Sequence, residues 1–504
     1  MPGDDGPLVI ERTLTLADVA AVAEEGRHVE LSGTARARIG DGRRVVERLL
    51  AGDEPVYGLT TGVGALKRIS VGAAEQERFN RLLLRSHRTG TGPSAPDAVI
   101  RAALMAQLVG FAQGHAGVRE SLADLLVSAL NRGLMPRARV TGSLGQSDLG
   151  PLADIAEALT GEDEWAAQLD RLGLDPWRPD AKEALAFVNS NAFSLGWSAL
   201  ALGRVERLLA AFDQAAALTF EGMLGNVQAL DPEIAVARPV PGLRDEIERL
   251  RTLLRGGSLL DGSQHRELQD PLVMRAVPQT HGAAYVALAH AAMLVESELV
   301  SSHDNPCITG DGRALSNGNF DSVPYGVALD YVRLAVAHVV TASCERCQKL
   351  VHRGFSGLPT GLRRDDSANS DGLAIVVYGA AAAAAEARLL AMPATLETPT
   401  TSVAEGIEDR VIPTPVAARR LDQQIELAAH VAATELYVAA QAVDLRARVP
   451  ELGQGTALAH AMVRRFAPPL KDGEPSMPDL APLTAALMRG RSPDPGDTKS
   501  RRYA

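Results

Sequence analysis

Long stretches of this chain place apolar residues at i, i+3, i+4 and i+7 with few internal breakers, and that repeat restricts it to a helical architecture. The stretches are Ser194–Leu224, Ala283–Ser302, Tyr325–Val351, Asp371–Met392 and Val416–Arg448. Hydrophobic residues make up 46% of the chain but aromatic ones only 4%. The interior must therefore be built from Ala, Leu and Val, which suits close contact between helices. Ala380–Ala385, a run of the strongest helix former, predicts a crowded helix crossing. The expected fold is mostly α, an elongated bundle of long central helices with a smaller N-terminal α-rich domain. The 504 residues allow more than one domain. We divide them into 1–200, where the Gly-rich loops lie, 201–450, the long-helix bundle, and 451–504, C-terminal helices ending in a polar, mobile tail over Gly490–Ala504.

A net charge of −11 argues against a nucleic-acid surface. The cysteines are Cys307, Cys344 and Cys347, a sparse, odd set that fits a reducing cytoplasm rather than a disulfide framework. Cys344 and Cys347 are i,i+3 neighbours in a helical pattern with no second ligand pair, so no metal is expected. Met1–Pro7 is polar and lacks an apolar signal region. No run reads as long and apolar enough to span a bilayer, Leu373–Ala385 being short and bounded by Asp371 and Glu386.

The polar residues collect in the connections. Thr141–Leu152 reads TGSLGQSDLGPL, a small-residue loop running into a helix, with Asp148 placed to cap it and Pro151 in its first turn. The loop would face the positive end of that helix. Val56–Lys67, VYGLTTGVGALK, is a glycine loop preceded by Tyr57. Phe79–Gly92 carries Ser86-His87-Arg88, Lys182–Asn191 reads KEALAFVNSN, and Leu268–Gln279 reads LQDPLVMRAVPQ. Further on stand HDNP at 303–306, SNGNFDS at 316–322, SCERC at 343–347, and the Thr/Pro-rich connection Pro393–Pro413. Taken singly, each has a plain structural reading. Tyr57 can plug a turn, His87 can be a core histidine, and Arg275 can be a solvated surface arginine.

Together, and in this order, the segments resemble the histidine and aromatic amino acid ammonia-lyases over roughly Thr15 to Arg448. In that family the first loop reads roughly GSVGASGDLAPL, and its Ala-Ser-Gly cyclises to a methylidene-imidazolone (MIO) electrophile. The resemblance implies Tyr57 as the base that takes the substrate's β-proton, from YGVNTGFG. It implies His87 beside the substrate's ring, and Asn189, from KEGLALINGT, holding substrate or electrophile. From QDAYSLRCxPQ it implies Gln269 and Arg275, the latter as a two-pronged carboxylate clamp. Phe320, from SGGNFHG, would pack beside the electrophile loop. Glu408, from QEDHVSM, would reach the amine or ring, with Ser402 nearby. Asp304 and Asn305 would fix a turn, and Glu345 and Arg346, from SERR, would be intrahelical or intersubunit ion partners. The family's fold is helical, and its members are homotetramers whose sites borrow loops from three subunits.

The chain departs from its relatives at the electrophile. Gln146-Ser147 stand for Ala-Ser and the glycine is missing, or, without a deletion, Gly145-Gln146-Ser147 has no central serine. Cyclisation needs an unhindered amide nitrogen after a serine, so no MIO and no other cofactor is expected. Leu272 and Val273 replace a Tyr-Ser, Ser190 replaces a glycine, and Arg410 replaces a histidine. Arg88, where a small or apolar residue is usual, would meet an anionic substrate group if it faces the pocket.

Three functions follow. The first is a lyase acting on an amino-acid-like carboxylate without MIO, using Tyr57, Gln146, Ser147 and Glu408 for catalysis and His87, Arg88, Asn189, Gln269, Arg275 and Phe320 for binding. The second is an ordinary histidine- or tyrosine-type ammonia-lyase with an MIO from the atypical triad. The third is a silent scaffold. A small-molecule substrate and a cytoplasmic homotetramer are expected, with neither nucleic acid nor membrane as partner.

Overall fold

The computed structural model describes residues 6–11, 13–260, 265–364, 371–396, 404–446, 451–470 and 478–489. Helices dominate them, as the apolar repeat requires. The N-terminal helices are α1 (Leu16–Ala23), α2 (Gly33–Leu50), α3 (Gln76–Ser86), α4 (Asp97–Ala112), α5 (Glu120–Arg132), α6 (Leu149–Thr160), α7 (Trp165–Leu172) and α8 (Glu183–Val188). Next come α9 (Ala192–Met223), α10 (Pro232–Ala237), α11 (Leu243–Leu254), α12 (Leu272–Arg275) and α13 (Val277–Leu299). The chain continues through α14 (Val323–Val351), α15 (Arg353–Ser356), α16 (Val376–Leu390), α17 (Thr414–Asp444), α18 (Gln454–Phe466) and α19 (Ala481–Arg489). Three short strand pairs join loops: Leu8–Ile10 with Val29–Leu31 in parallel, and Thr91–Ser94 with Arg139–Thr141 and Cys307–Ile308 with Ala314–Leu315 antiparallel.

The long apolar segments appear as α9, α13, α14, α16 and α17. α13 begins earlier than its periodicity suggests, at Val277, because Pro278 is tolerated in a first turn. α16 begins later, after a separate tight turn over Gly372–Ala374. Arg448 and Gly490–Ala504 lie outside the described residues.

Two compact units emerge. One holds 1–203, 291–330 and 393–419; the other holds 204–290, 331–392 and 420–504. They are discontinuous in sequence, unlike a division at 200 and 450, because the chain re-enters the first unit twice with loop-bearing segments. In the first unit α4 is buried along most of its length, from Val99 to Ala112. Gly196 of α9 lets the two backbones meet: a Cβ there would come within 2.6 Å of the Ala102 carbonyl carbon. Small side chains thus supply the close contact that the aromatic-poor composition implies.

In the second unit Gln424 of α17 donates to the carbonyls of Arg333 on α14 and Ala387 on α16, at 2.9 and 3.0 Å. The buried alanines of α16 at 380, 383, 384 and 387 face this crowding. Arg346 makes a two-pronged pair with Glu435 of α17 at 2.6 and 2.8 Å, both side chains fully buried. Its role is therefore interhelical, which corrects the intrahelical or intersubunit expectation. Glu345 does pair within its helix, with Lys349 at 3.5 Å.

A second correction concerns hydropathy. Val323–Val351 and Gly372–Leu390 are long and apolar enough to cross a bilayer, with mean hydropathies of 1.4 and 1.6. The apolar run weighed as a span ended at Ala385, before Glu386, whereas Leu389 and Leu390 extend the apolar helix beyond that charge. The former is mostly buried and carries Arg333 and Arg346 inward, the pattern of a core helix rather than a lipid-facing one.

Candidate active site

The Gly-rich loop ahead of α6 is held by side chains of the first unit. Ser147 sits at φ +70°, a left-handed conformation that costs a non-glycine residue about 1 kcal/mol or more. Its amide donates to Asn191 Oδ1 at 3.2 Å, and its hydroxyl donates to Asn189 Oδ1 at 2.6 Å. Asn189 in turn donates to the Asn305 carbonyl at 3.0 Å, and Asn191 to the Phe320 carbonyl at 2.8 Å. The structure thus gathers Gln146, Ser147, Asn189 and the Phe320 backbone at one place. Asn191 was missed in the sequence, although it stands two residues beyond Asn189 in the same NSN run.

Asp148 occupies the N-cap position of α6, as expected, but its side chain makes no capping hydrogen bond. Pro151 stands in the first turn as predicted, but the Asp148 carboxylate turns inward instead. It accepts from Ser194 N and Oγ at 2.7 and 2.8 Å and from Ser143 Oγ at 2.7 Å. Its backbone N–H donates to the Ser190 carbonyl at 2.7 Å. Burial pushes the carboxyl above its usual range despite these donors. Tyr325, whose hydroxyl lies 3.0 Å from Ser194 Oγ, is pushed well above the ordinary phenol value by burial and by the Asp148 charge.

Behind Asn189 stands a buried ion pair. Lys182, in a left-handed conformation at φ +71°, pairs with Asp304 and also donates to the Ala116 carbonyl at 3.1 Å. Asn305 is therefore fixed by the residue before it, in line with the structural role expected of the turn.

Tyr57 is half-buried, and its oxygen accepts the Gly64 N–H at 2.9 Å. Burial pushes the phenol up, the Gly64 bond pulls it down, and the Glu408 charge pushes it up again, leaving it above its ordinary value. A base at neutral pH needs the opposite, so these neighbours do not by themselves activate the phenol. Glu408 is exposed, about one side-chain contact from Gly64: a Cβ on that glycine would lie 4.0 Å from Glu408 Oε1. Ser402 lies outside the described residues.

His87 ends α3, with Nδ1 2.7 Å from the Leu83 carbonyl. Arg88 pairs with Glu157 and lies 3.7 Å from Asp154, both on α6. These carboxylates occupy the guanidinium, which corrects the reading of Arg88 as a contact for a substrate anion. Arg275 and Gln269 belong to the second unit. Arg275, half-buried at the end of α12, donates from Nε to the Asp270 carbonyl at 2.8 Å, and Gln269 is exposed.

The second unit also holds a buried cluster that the sequence does not announce. Asp213 accepts from Tyr285 at 2.8 Å and lies 2.8 Å from His281 Nδ1, while Glu246 pairs with Arg249 at 2.9 Å. Burial and the Asp213 charge push the Glu246 carboxyl well above its usual range, although Arg249 opposes them. Asp213, Glu246 and His281 offer ligand atoms within 4.8 Å of one another, but Arg249 already supplies the balancing cation.

Residues 14–465 match the aromatic amino acid lyase family. The chain is 35% identical to histidine ammonia-lyase of Treponema denticola over 465 residues, covering 90% of this chain and 91% of that one. It is 36% identical to histidine ammonia-lyase of Streptomyces griseus over 447 residues, 86% of each. Among solved structures, the ergothioneine-degrading ergothionase of Treponema denticola superposes with a TM-score of 0.88 at 28% identity, covering 96% of this chain and 98% of that one. Tyrosine aminomutase of Streptomyces globisporus superposes with a TM-score of 0.90 at 29% identity, covering 96% and 97%. The fold, the order of the loops and these likenesses together place the chain in the aromatic amino acid lyase family, as an enzyme of the carbon–nitrogen lyase class.

Proposed function

We propose that this enzyme eliminates an amine from an amino-acid-like carboxylate without forming an MIO group. The observation that carries this reading is the position of Asp148. Ring closure requires the nitrogen after the serine to attack the carbonyl of the residue before it, and a glycine leaves that nitrogen unhindered. Here that nitrogen belongs to Asp148, it is engaged with the Ser190 carbonyl at 2.7 Å, and the attached side chain is anchored by Ser143 and Ser194. The residues present do not fit the prosthetic group.

Without the electrophile, activation has to come with the substrate. A loss of five orders of magnitude would correspond to about 7 kcal/mol of transition-state stabilisation, too much for one hydrogen bond to restore. A cationic nitrogen bound beside Glu408 would cancel the charge that raises Tyr57, so substrate binding itself would lower the phenol toward a working base. Tyr57 then takes the β-proton, its electron pair forms the carbon–carbon double bond, and the carbon–nitrogen pair leaves with the amine. Arg275 would clamp the carboxylate, and Asn189 with Ser147 would line the site. A quaternary nitrogen suits this scheme because it departs as a neutral tertiary amine. Ergothioneine, on which the structural neighbour acts, is a betaine of that kind.

A second reading is favoured by the relatives named histidine ammonia-lyase: elimination of ammonia from histidine with an MIO formed from Gln146-Ser147-Asp148. One experiment separates them. The purified protein is weighed intact and assayed for acrylate absorbance with histidine, tyrosine, phenylalanine and ergothioneine. An unmodified mass with turnover of a quaternary substrate supports the first reading; a mass two waters lighter with turnover of histidine replaces it with the second.

Assembly into homotetramers belongs to the same proposal. Tyr331 and Leu334 on α14 and Tyr378 and Leu389 on α16 are apolar and substantially exposed, as surfaces awaiting other copies are. Light scattering at assay concentration measures it.

A further inference from the structure

We propose that Asp321 and Arg410 are positioning residues: their ion pair clasps two segments over the open loop and holds Ser147 in the turn that presents its hydroxyl to Asn189. The inference rests on the MIO-free reading, since an uncyclised loop has no covalent ring to stiffen it. The contacts converge from both segments, all within the first unit. From one side, Asp321 pairs its backbone with Gln146 in an isolated antiparallel bridge. The buried Gln146 carboxamide nitrogen has no hydrogen-bond partner of its own, and Gln146 helps hold the Asp321 carboxyl below its usual value, after the Val323 N–H and Arg410. The next residue, Ser322, donates to the Gly145 carbonyl at 2.8 Å.

From the other side, Ile412 N–H donates to the Leu144 carbonyl at 3.1 Å. The fit at Gly145 is so close that a Cβ there would stand 1.6 Å from the Ile412 carbonyl oxygen, and the residue is at φ +78°. Only glycine can occupy that place. The two sides are themselves joined. Arg410 Nε donates to Asp321 Oδ2 at 2.7 Å, and Ser322 Oγ lies 2.7 Å from Thr414 Oγ1. The Val323 N–H completes the grip on Asp321 at 3.0 Å. Asp321 stands at the histidine of the relatives' GNFHG, and Arg410 at the histidine of QEDHVSM. Two departures far apart in sequence thus meet as a pair, next to a third, Gln146.

The pair is part-exposed, with side-chain exposures of 44% for Arg410 and 29% for Asp321, so its removal leaves global stability nearly unchanged. Its effect is local order, and hydrogen exchange reads that directly. The full chain is compared with Arg410→Ala, Arg410→Lys, Asp321→Asn and the swap Asp321→Arg/Arg410→Asp, following amide exchange across residues 144–148. With melting temperature unmoved, Arg410→Ala and Asp321→Asn are expected to speed exchange there by about tenfold. They should lower kcat by about tenfold, with KM little changed, on whichever of the assayed substrates the parent protein turns over. Lysine at 410 or the swap should restore part of both. Unchanged exchange in Arg410→Ala and Asp321→Asn overturns the clasp. The mass of the peptide spanning 143–148 judges the underlying reading separately: loss of two waters there refutes the open loop, whatever the exchange result.

Discussion

The Ser147 hydroxyl donates to the Asn189 carboxamide oxygen at 2.6 Å, joining the loop ahead of α6 to the residue that follows α8. If Ser147 only lines the site, Ser147→Ala removes one hydrogen bond, worth about 1 kcal/mol, and kcat should fall by about fivefold. If Ser147 were the source of an electrophile, the same change would abolish turnover. Steady-state kinetics of this variant therefore distinguish the two chemistries by size of effect alone.

Glu408 raises Tyr57 in the free enzyme, which fixes the sign of a pH experiment. The alkaline-rising limb of kcat/KM reports the free phenol. Glu408→Gln removes a neighbouring negative charge, so the limb should move to lower pH. KM for a cationic substrate should rise in the same variant because its counter-charge is gone. Tyr57→Phe should abolish elimination. A limb that stays in place in Glu408→Gln would show that the two side chains do not act on one another.

The Lys182–Asp304 pair is buried, and breaking such a pair from one side leaves an uncompensated charge inside the protein. Lys182→Met should cost about 3–5 kcal/mol in urea unfolding. Adding Asp304→Leu should recover much of that loss, since both charges then leave together. The single variant should also loosen Asn305 and, through it, Asn189.

Glu246 offers a test of stability against pH. Its folded carboxyl is held well above the unfolded value, by burial first and by Asp213 second. A raised value stabilises the fold below the unfolded pKa of about 4.3, and that contribution is lost as pH rises toward the folded value. Asp213 is shifted the opposite way, its partners His281, Arg249 and Tyr285 outweighing burial, so its contribution is present at higher pH and lost on acidification. Glu246→Gln removes only the first dependence. Melting temperatures between pH 4 and 8 should therefore decline less steeply with rising pH in the variant than in the parent protein.

The helical architecture was legible because α9, α14 and α17 keep their apolar repeat over many turns, and a repeat needs only local sequence to be seen. The loops around Tyr57, Ser147 and Asn189 were legible through their glycines and asparagines, which the backbone requires in tight turns. The apolar reach of α16 was underestimated because the single charge at Glu386 does not end an apolar helix that Leu389 and Leu390 continue.

By itself, the sequence determined which segments are helices, which loops carry polar side chains, and that the residue after Ser147 is an aspartate rather than a glycine. Only the tertiary structure decided that the Asp148 carboxylate turns inward to Ser143 and Ser194 rather than bonding the first turn of α6, that Arg88 pairs with Glu157, and that Arg346 pairs with Glu435. It alone brought Asp321 to Arg410 and set Glu408 against the Tyr57 phenol. The reason is range: periodicity and turn chemistry act over a few residues, whereas charge pairing and burial depend on which distant segments the fold brings within a few ångströms.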